Sequence, residues 1–390
     1  MGRFIVIRKM NRPKILIVDA QIAGHHILWL GLVARSMLEL GCDAVLLAHG
    51  DLDEVKSRIN QLDGELLSVV TLAGFPRGRK TSVETYLSAV AAVFLQYRCD
   101  RIILNNFDTI ASGLFRKVLL GYRPPQCLFG KINAIYHRPR PLDVTQKTLG
   151  NTWKRQGMRL LLHQGFFAGI LLLDPFLIES SVEMYGAYSR FVFIPDPWRD
   201  NDEDPVCPPE LVGAQTRGIR LLQYGVGDRR KGTELLVNAL KQADADVPLT
   251  LIIAGFQRNT GLTDSLAGLK KPHSFVLIDR FISGAEEKFL LQYADYLTIP
   301  YLSHYGSSNI LSKAAQYAKP VIASDYHLIG RLVGNYGLGV LFKDNDARAL
   351  ASAIESLSAT SSCSEQLNNY RHQCSYQAFK KALASIMRFA

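Results

Sequence analysis

The sequence predicts an α/β protein of two domains, each built on a doubly wound parallel sheet. The chain has 390 residues, which is enough for two domains of about 190 residues each. Short apolar segments alternate with segments of helical periodicity in both halves, as in parallel sheets with helical crossovers. A proline-rich segment, Pro195 to Pro209, interrupts the alternation. We therefore expect a first domain at 1–198, a linker at 199–216, a second domain at 217–374 and a final helix at 375–390.

The composition is that of a globular protein with a basic excess. Hydrophobic residues make up 48% and charged residues 21%, and the net charge of +10 favours anionic partners such as a nucleotide, a phosphorylated lipid or an anionic membrane face. Nucleic acid is not an expected partner, because the sequence has no zinc-ligand spacing, RNP-like motif or dense basic helix. The six cysteines are scattered without a C-x-x-C pair, which favours a reduced, cytoplasmic protein.

The apolar runs are too short or too broken to cross a bilayer. Phe4 to Ile7 is shorter than the apolar region of a signal peptide. Leu160 to Leu173 is interrupted by the polar residues His163 and Gln164. We expect a soluble or peripheral protein, and the basic region 138–159 suggests a peripheral form on the cytoplasmic membrane face.

Strands and helices are expected to alternate along the first half. The predicted strands are Lys14 to Asp19, Ala44 to Ala48, Glu65 to Leu72, Arg101 to Leu104, Lys131 to Tyr136, Ile170 to Leu173 and Arg190 to Ile194. The predicted helices are Ile27 to Leu40, Asp51 to Gln61, Ser82 to Gln96 and Trp153 to Gln164.

The second half repeats this alternation. Its predicted strands are Ile219 to Tyr224, Leu249 to Ala254, Phe275 to Ile278, Tyr296 to Pro300 and Val321 to Ser324. Its predicted helices are Thr233 to Gln242, Glu286 to Tyr293, Ile310 to Ala318, Asp344 to Leu357 and Ser375 to Phe389.

Two loops of the second half are typical of phosphate-binding turns. The turn from Gly225 to Gly232 is rich in glycine and contains three cations. Glycines let the backbone approach a phosphate, and the cations neutralise it. The loop from Ser303 to Ser308 follows a strand and precedes a helix, where unpaired N–H groups suit an anion. A basic loop exposed to solvent is the alternative interpretation of the first turn.

The segment from Tyr293 to Gly339 resembles the donor-binding unit of retaining GT-B glycosyltransferases, the large group 1 family. Ala294-Asp295, Pro300 and the run Ala318 to Ser324 fit the family pattern, and Lys231-Gly232 match its G-R-x-x-x-x-K-G motif. The chain departs from the family at three positions. Tyr305 and Lys313 replace the E-x7-E pair, and Val226 replaces the motif arginine.

The resemblance implies two Rossmann-like domains that face a cleft. The acceptor is expected on the first domain and the nucleotide-sugar donor on the second. The last helix is expected to cross back to the first domain. The resemblance implies no cofactor and no metal. The donor diphosphate is expected at Lys231, Arg230, Arg229, Gly227, Gly306, Ser307, Ser308 and Asn309. Tyr305, Lys313 and Gly255 are expected in the donor cleft.

Candidate residues of the first half are those that follow predicted strands. Gly24, His25, His26 and Arg138 are expected on the acceptor side, and His137 and Asp108 are the catalytic candidates. For the Gly24 to His26 segment, capping of the following helix is an equally good interpretation.

The leading hypothesis is a glycosyltransferase that moves a sugar from a nucleotide-sugar to a glycan or lipid-linked acceptor, with retention. Loss of the acidic pair suggests a second hypothesis, a GT-B relative that only binds a nucleotide or a partner. A sugar-nucleotide epimerase with the same architecture is a third.

Overall fold

The computed structural model describes residues 12–75, 82–186, 191–199, 202–243, 248–258, 261–269, 273–358 and 364–387. Several predictions fall outside these ranges, among them the apolar run Phe4 to Ile7, Arg190 and Cys363. The chain divides into two compact units. The first consists of residues 1–194 and 380–390, and the second of residues 195–379.

The first unit contains a parallel sheet of seven strands in the order β3-β2-β1-β4-β5-β6-β7. Its strands are β1 Lys14–Val18, β2 Asp43–Ala48, β3 Val70–Gly74, β4 Arg101–Leu104, β5 Ile132–Tyr136, β6 Phe167–Leu172 and β7 Phe191–Phe193. Its helices are α1 His25–Glu39, α2 Leu52–Leu62, α3 Leu66–Val69, α4 Val83–Gln96, α5 Asp108–Leu119, α6 Leu149–His163 and α7 Ile178–Tyr185.

The second unit contains a parallel sheet of six strands in the order β10-β9-β8-β11-β12-β13. Its strands are β8 Ile219–Tyr224, β9 Leu249–Ala254, β10 Ser274–Ile278, β11 Tyr296–Ile299, β12 Val321–Ser324 and β13 Gly339–Phe342. Its helices are α8 Thr233–Gln242, α9 Leu262–Ala267, α10 Gly284–Tyr293, α11 Asn309–Gln316, α12 His327–Tyr336, α13 Ala347–Glu355, α14 Ser364–Gln373 and α15 Tyr376–Ile386, which continues into the first unit at Lys380.

The predicted fold class is confirmed, because both sheets are parallel and carry helical crossovers. The prediction of a strand from Glu65 to Leu72 is wrong for its first half. There the chain forms one helical turn, in which the amide of Ser68 donates to the carbonyl of Glu65 at 3.1 Å. Leu66 of this turn is fully buried, so packing outweighs the strand propensity of the segment.

Among the helices that begin elsewhere than predicted, two have first turns that are set by capping residues. Helix α6 begins at Leu149 rather than Trp153, since the Thr148 hydroxyl accepts from the amide of Asn151 at 3.2 Å. Helix α13 begins after Asp346, whose carboxylate accepts from two amides of the first turn.

The core of the first unit is packed around Phe107, which is fully buried at the end of β4. Its ring meets the rings of Phe115, Tyr136 and Phe167 edge-on at centroid distances of 5.2–5.8 Å. Helix α6 lies against α5 at Gly157, where an added Cβ would come within 2.6 Å of the Phe115 carbonyl oxygen. This packing fixes the carboxyl ends of β4 and β5, where the polar residues of the first unit lie.

Candidate functional site

The strand order of the second unit has its switch point at the carboxyl ends of β8 and β11. Successive strands run outwards from β8 through β9 to β10 on one side, and from β11 through β12 to β13 on the other. The loops after β8 and β11 therefore diverge and leave a crevice, which is where open α/β sheets bind ligands. The loop after β8 is the glycine-rich turn 225–232, and the loop after β11 is 300–308.

Around the crevice, backbone segments approach each other so closely at two points that only glycine fits there. Gly232 has φ +68°, and a Cβ there would lie 1.8 Å from the Pro300 carbonyl oxygen. Gly255, with φ +123°, would bring a Cβ to 2.5 Å from the Gly225 carbonyl oxygen. Gly227 pairs with Gln257 in a parallel bridge. The predicted site glycines Gly227 and Gly255 thus shape the backbone of the crevice.

Lys231 projects from the first loop to the second. Its ammonium donates to the Tyr301 hydroxyl and lies 4.4 Å from the centre of that ring. Its backbone amide donates to the Asp228 carboxylate at 3.1 Å, and its carbonyl accepts from the Gln223 side chain at 3.0 Å. Among the described residues, no carboxylate pairs with the Lys231 ammonium. The structure therefore holds a cation at the switch point whose charge is available to an anion.

Arg230 braces the loop after β11. Its guanidinium, which can only donate, lies 3.1 Å from Nδ1 of His304. That nitrogen must accept, so the proton of a neutral His304 is on Nε2, which donates to the Ser307 carbonyl at 3.0 Å. Arg229, the other arginine of the turn, is exposed.

The side chains from Ser307 to Asn309 are engaged largely with the protein itself. Ser307 donates to the Asp196 carboxylate at 3.2 Å, and the Asn309 amide donates to the Pro197 carbonyl at 3.4 Å. The buried Ser308 donates to the Tyr301 hydroxyl at 3.3 Å and makes no side-chain cap on α11. Together with the buried Gly306, this loop offers an anion its backbone amides rather than its side chains.

Tyr305 and Lys313 stand at the two positions where the family has acidic residues, and each makes different contacts in the structure. Tyr305 is buried, with its ring 4.6 Å from that of His327. Lys313 forms an ion pair with Glu287 of α10 and lies 5.2 Å over the Tyr224 ring. The Tyr224 hydroxyl donates to the same carboxylate at 2.9 Å. Burial, followed by the charge of Glu287, raises the pKa of Tyr224.

In the first unit, the Asp108 carboxylate contacts the backbone of His137 rather than its imidazole. The two carboxylate oxygens accept from the amides of His137 at 2.8 Å and Arg138 at 3.0 Å. Burial raises the pKa of Asp108, and these hydrogen bonds oppose the rise. Asp108 therefore fixes the turn after β5. The Arg138 side chain is exposed.

The His137 imidazole is held in an apolar contact. Its Nε2 lies 3.0 Å from the Asn105 carbonyl, and Trp29 meets it edge-on at 4.7 Å. Burial lowers the pKa of His137 to about 4. A base with a pKa that low accepts protons weakly at neutral pH, because catalytic efficiency is greatest when the pKa lies near the working pH.

The structure adds two residues that the sequence reasoning did not select, Asp19 and Asn105. Nδ1 of His26 lies 3.0 and 3.2 Å from the two carboxylate oxygens of Asp19, and Asn105 donates to the same carboxylate at 2.7 Å. His25 is exposed, with its ring 4.5 Å from that of His26. Gly24 precedes α1 with φ +57°. The signal for Asp19 and Asn105 was their position directly after two neighbouring strands.

Comparisons with known proteins give a family match to part of the chain and a fold match to nearly all of it. Residues 220–360 match the family described as Glycosyl transferases group 1. The structure of HepE from Anabaena in complex with UDP-glucose has a TM-score of 0.62 at 16% identity, over 95% of this chain and 98% of that one. Sucrose-phosphate synthase from Thermosynechococcus elongatus has a TM-score of 0.65 at 16% identity, over 97% and 98%.

A third solved structure, WaaG, is described as a glycosyltransferase involved in lipopolysaccharide biosynthesis. It has a TM-score of 0.61 at 13% identity and covers 96% of this chain and 100% of that one. No curated protein matches the chain by sequence. At these identities the solved structures are evidence for the fold.

No helix in the described part of the chain has both the length and the apolar character needed to cross a membrane. The same residues contain no cluster of three or more histidine, cysteine, aspartate or glutamate side chains arranged to hold a metal ion.

Proposed function

We propose that this chain is a GT-B glycosyltransferase of group 1, as the sequence predicts, and that it moves a sugar from a nucleoside-diphosphate sugar to a hydroxyl of a glycan or lipid-linked acceptor, with retention. The match of residues 220–360 to the group 1 family and the shared fold support this proposal. HepE, which shares the fold, has been solved with UDP and with UDP-glucose. This supports a nucleotide-sugar as the donor.

The observation that carries the proposal is the position of Lys231. Its ammonium lies at the switch point of the second sheet, next to the Tyr301 hydroxyl. In glycosyl transfer, the bond between the anomeric carbon and the diphosphate oxygen breaks, and the diphosphate leaves with the electron pair. A fixed cation beside the diphosphate stabilises the charge that develops in the transition state. Lys231 supplies that cation as a point charge.

The loop after β11 supplies the second part of the diphosphate site. Helix α11 begins at Asn309 without a side-chain cap at Ser308, so its first amides and its dipole favour an anion. Arg230 acts indirectly, because its guanidinium positions His304 and through it the Ser307 carbonyl. The proposal assigns charge neutralisation to the protein and does not require a metal ion.

A lipid-linked acceptor is supported by the surface at the start of α6. Leu149 is 90% exposed and Val144 51% exposed, and the exposed Lys147 lies between them in the chain. Apolar residues beside lysines suit the interface of an anionic membrane. The half-buried Arg155 is engaged with the protein itself, since its guanidinium donates to the carbonyls of Pro141, Asp143 and Gln146. We propose that the protein acts in the cytoplasm, at the membrane face.

The test is a thermal-shift panel of UDP, GDP, ADP and their common sugars on the wild type and on Lys231→Ala. A ligand at about 100 times its dissociation constant adds about 2.7 kcal/mol, a rise of roughly 5–10 °C for a unit of this size. Loss of a charge-assisted hydrogen bond costs about 1.5–3 kcal/mol. Lys231→Ala should therefore bind the donor about 10- to 150-fold more weakly.

Lys241→Ala is the matched control, because Lys241 is an exposed lysine on α8. It should keep the full shift. Sugar transfer to acceptors is then measured with the nucleotide-sugar that shifts the wild type. Binding without turnover would support the binding-module hypothesis, and an epimerised nucleotide-sugar would support the epimerase. An equal shift in wild type and Lys231→Ala would contradict the proposed site.

A further inference from the structure

Tyr301 is a buried residue of the second unit, and its hydroxyl lies at the switch point of the sheet. It comes two residues after β11, and only 4% of its surface is exposed. The amide of Leu302 donates to the Arg230 carbonyl at 2.9 Å, and Gly232 packs against the Pro300 carbonyl. The turn after β8 therefore holds the residues on both sides of Tyr301 in place.

The Tyr301 hydroxyl has a hydrogen that the protein does not use. Its oxygen accepts from the Lys231 ammonium and from the Ser308 hydroxyl, the latter at 3.3 Å. A phenolic hydroxyl can accept and donate at the same time. Within the described part of the chain, no acceptor lies within reach of its hydrogen. Buried polar hydrogens are ordinarily donated to a partner, so this one is left for a ligand.

Positive charge surrounds the same hydroxyl. The Lys231 ammonium lies 4.4 Å and the Arg230 guanidinium 5.5 Å from the centre of the Tyr301 ring. The ammonium has three N–H groups, of which one is donated to Tyr301. An added Cβ at Gly225 would meet only Nζ of Lys231 among the described atoms, at 3.5 Å. The glycine therefore leaves room beside the ammonium for an anion that accepts from both Lys231 and Tyr301.

We propose that Tyr301 is a catalytic residue that donates its hydroxyl hydrogen to the diphosphate of the donor. As the bond from the anomeric carbon to the diphosphate oxygen breaks, the electron pair stays on that oxygen and the diphosphate gains negative charge. The acceptor oxygen forms the new bond to the carbon, and its proton goes to the released diphosphate. The proton of Tyr301 stays on the phenol, and its hydrogen bond strengthens as the charge grows. The inference rests on the proposed glycosyl transfer and adds a hydrogen-bond donor at its leaving group.

The first experiment compares the affinities for a nucleoside diphosphate and for its sugar. The free diphosphate carries the charge that the leaving group acquires, whereas the sugar ester does not yet carry it. UDP, GDP, ADP and their glucose esters are titrated into the wild type and Tyr301→Phe by calorimetry. For the nucleotide that the wild type binds, Tyr301→Phe should weaken binding of the diphosphate about tenfold or more and binding of the ester less than about threefold. An unchanged affinity for the diphosphate, or an equal loss for both ligands, would overturn the inference.

A second comparison separates direct donation from mere positioning of Lys231. If Tyr301 acted only through Lys231, Tyr301→Phe would have no effect in a protein that already carries Lys231→Ala. Direct donation predicts a further loss of about tenfold in diphosphate affinity in that background. Tyr296→Phe is the matched control, because the hydroxyl of this buried tyrosine on β11 donates to the Ser358 carbonyl at 3.0 Å. It should leave diphosphate affinity unchanged, and additivity failing so that Tyr301→Phe has no effect without Lys231 would overturn the inference.

Turnover provides the last measurement. Loss of one donor to a developing oxyanion lowers kcat by about 10²- to 10³-fold, and Tyr301→Phe should lose kcat in this range while Tyr296→Phe does not. Phenylalanine keeps the ring and its packing, and urea unfolding of both variants checks that the second unit is folded. A kcat of Tyr301→Phe within about threefold of wild type would overturn the inference. A wild type that binds no nucleoside diphosphate would contradict the proposed function itself.

Discussion

Replacement of His137 by glutamine should remove an acid sensitivity of the first unit. The pKa of His137 is about 4 in the folded protein, chiefly because of burial, and about 6.5 in an unfolded chain. Below pH 6.5 the unfolded chain takes up a proton that the folded chain takes up only near pH 4. The stability contributed by the neutral ring is therefore lost as the pH falls through this window. The difference between the two pKa values corresponds to about 3 kcal/mol.

Glutamine is the appropriate replacement, because its amide can donate to the Asn105 carbonyl as Nε2 of His137 does. Unfolding is followed by urea titration from about pH 7 to about pH 4.5. The chain has three tryptophans, of which Trp29 and Trp153 lie in the first unit and Trp198 in the second. A Trp198→Phe background makes the fluorescence report on the first unit alone.

The wild type should lose about 2 kcal/mol more than His137→Gln over this range. His25→Gln is the control and should keep the pH dependence of the wild type, because His25 is exposed. Parallel pH dependence of the wild type and His137→Gln would refute the reasoning. That result would mean that His137 has the same pKa in the folded and unfolded states.

Two further predictions concern an ion pair and a surface. Lys313→Glu should destabilise the second unit, because it brings two carboxylates together. Adding Glu287→Lys should restore stability, with a coupling free energy of about 0.5–3 kcal/mol in a double-mutant cycle of urea unfolding. Strictly additive changes in the free energy of unfolding would exclude the pairing. The double variant Leu149→Ser, Lys147→Gln should reduce co-sedimentation with anionic vesicles about tenfold. Leu120→Ser, at a leucine 74% exposed elsewhere on the first unit, should not. Equal sedimentation of all three proteins would contradict the membrane proposal.

The sequence predicted the architecture well, because hydrophobic periodicity determines which segments are buried on a sheet. Strands β4, β8 and β9 have the predicted bounds. The clearest error, in the segment Glu65 to Leu72, arose where a short apolar run has no periodicity of its own. Such a run forms a strand or a helical turn according to what it packs against, and this depends on residues that are distant in the chain.

Prediction of the sites from the sequence was less complete. Motif spacing placed Lys231 in a loop at a strand end, where the structure has it. It did not indicate that Asn105 would bind Asp19, because these residues are 86 positions apart and meet only through the pairing of β1 with β4. Strand order is the missing information. Once it is known, any polar residue directly after β1 or β4 becomes a candidate.

Lys313 shows why a departure from a family pattern has to be interpreted in three dimensions. In the sequence, a lysine at an acidic position indicates the loss of a carboxylate. In the structure, Lys313 of α11 binds the carboxylate of Glu287. The carboxylate in this part of the unit therefore comes from α10 instead of α11. That carboxylate already accepts from Lys313 and from the Tyr224 hydroxyl, which leaves fewer lone pairs for a ligand. Donor recognition should therefore depend more on Lys231 and the backbone amides than on a carboxylate, and donor affinity should be more sensitive to salt than in a site with the acidic pair.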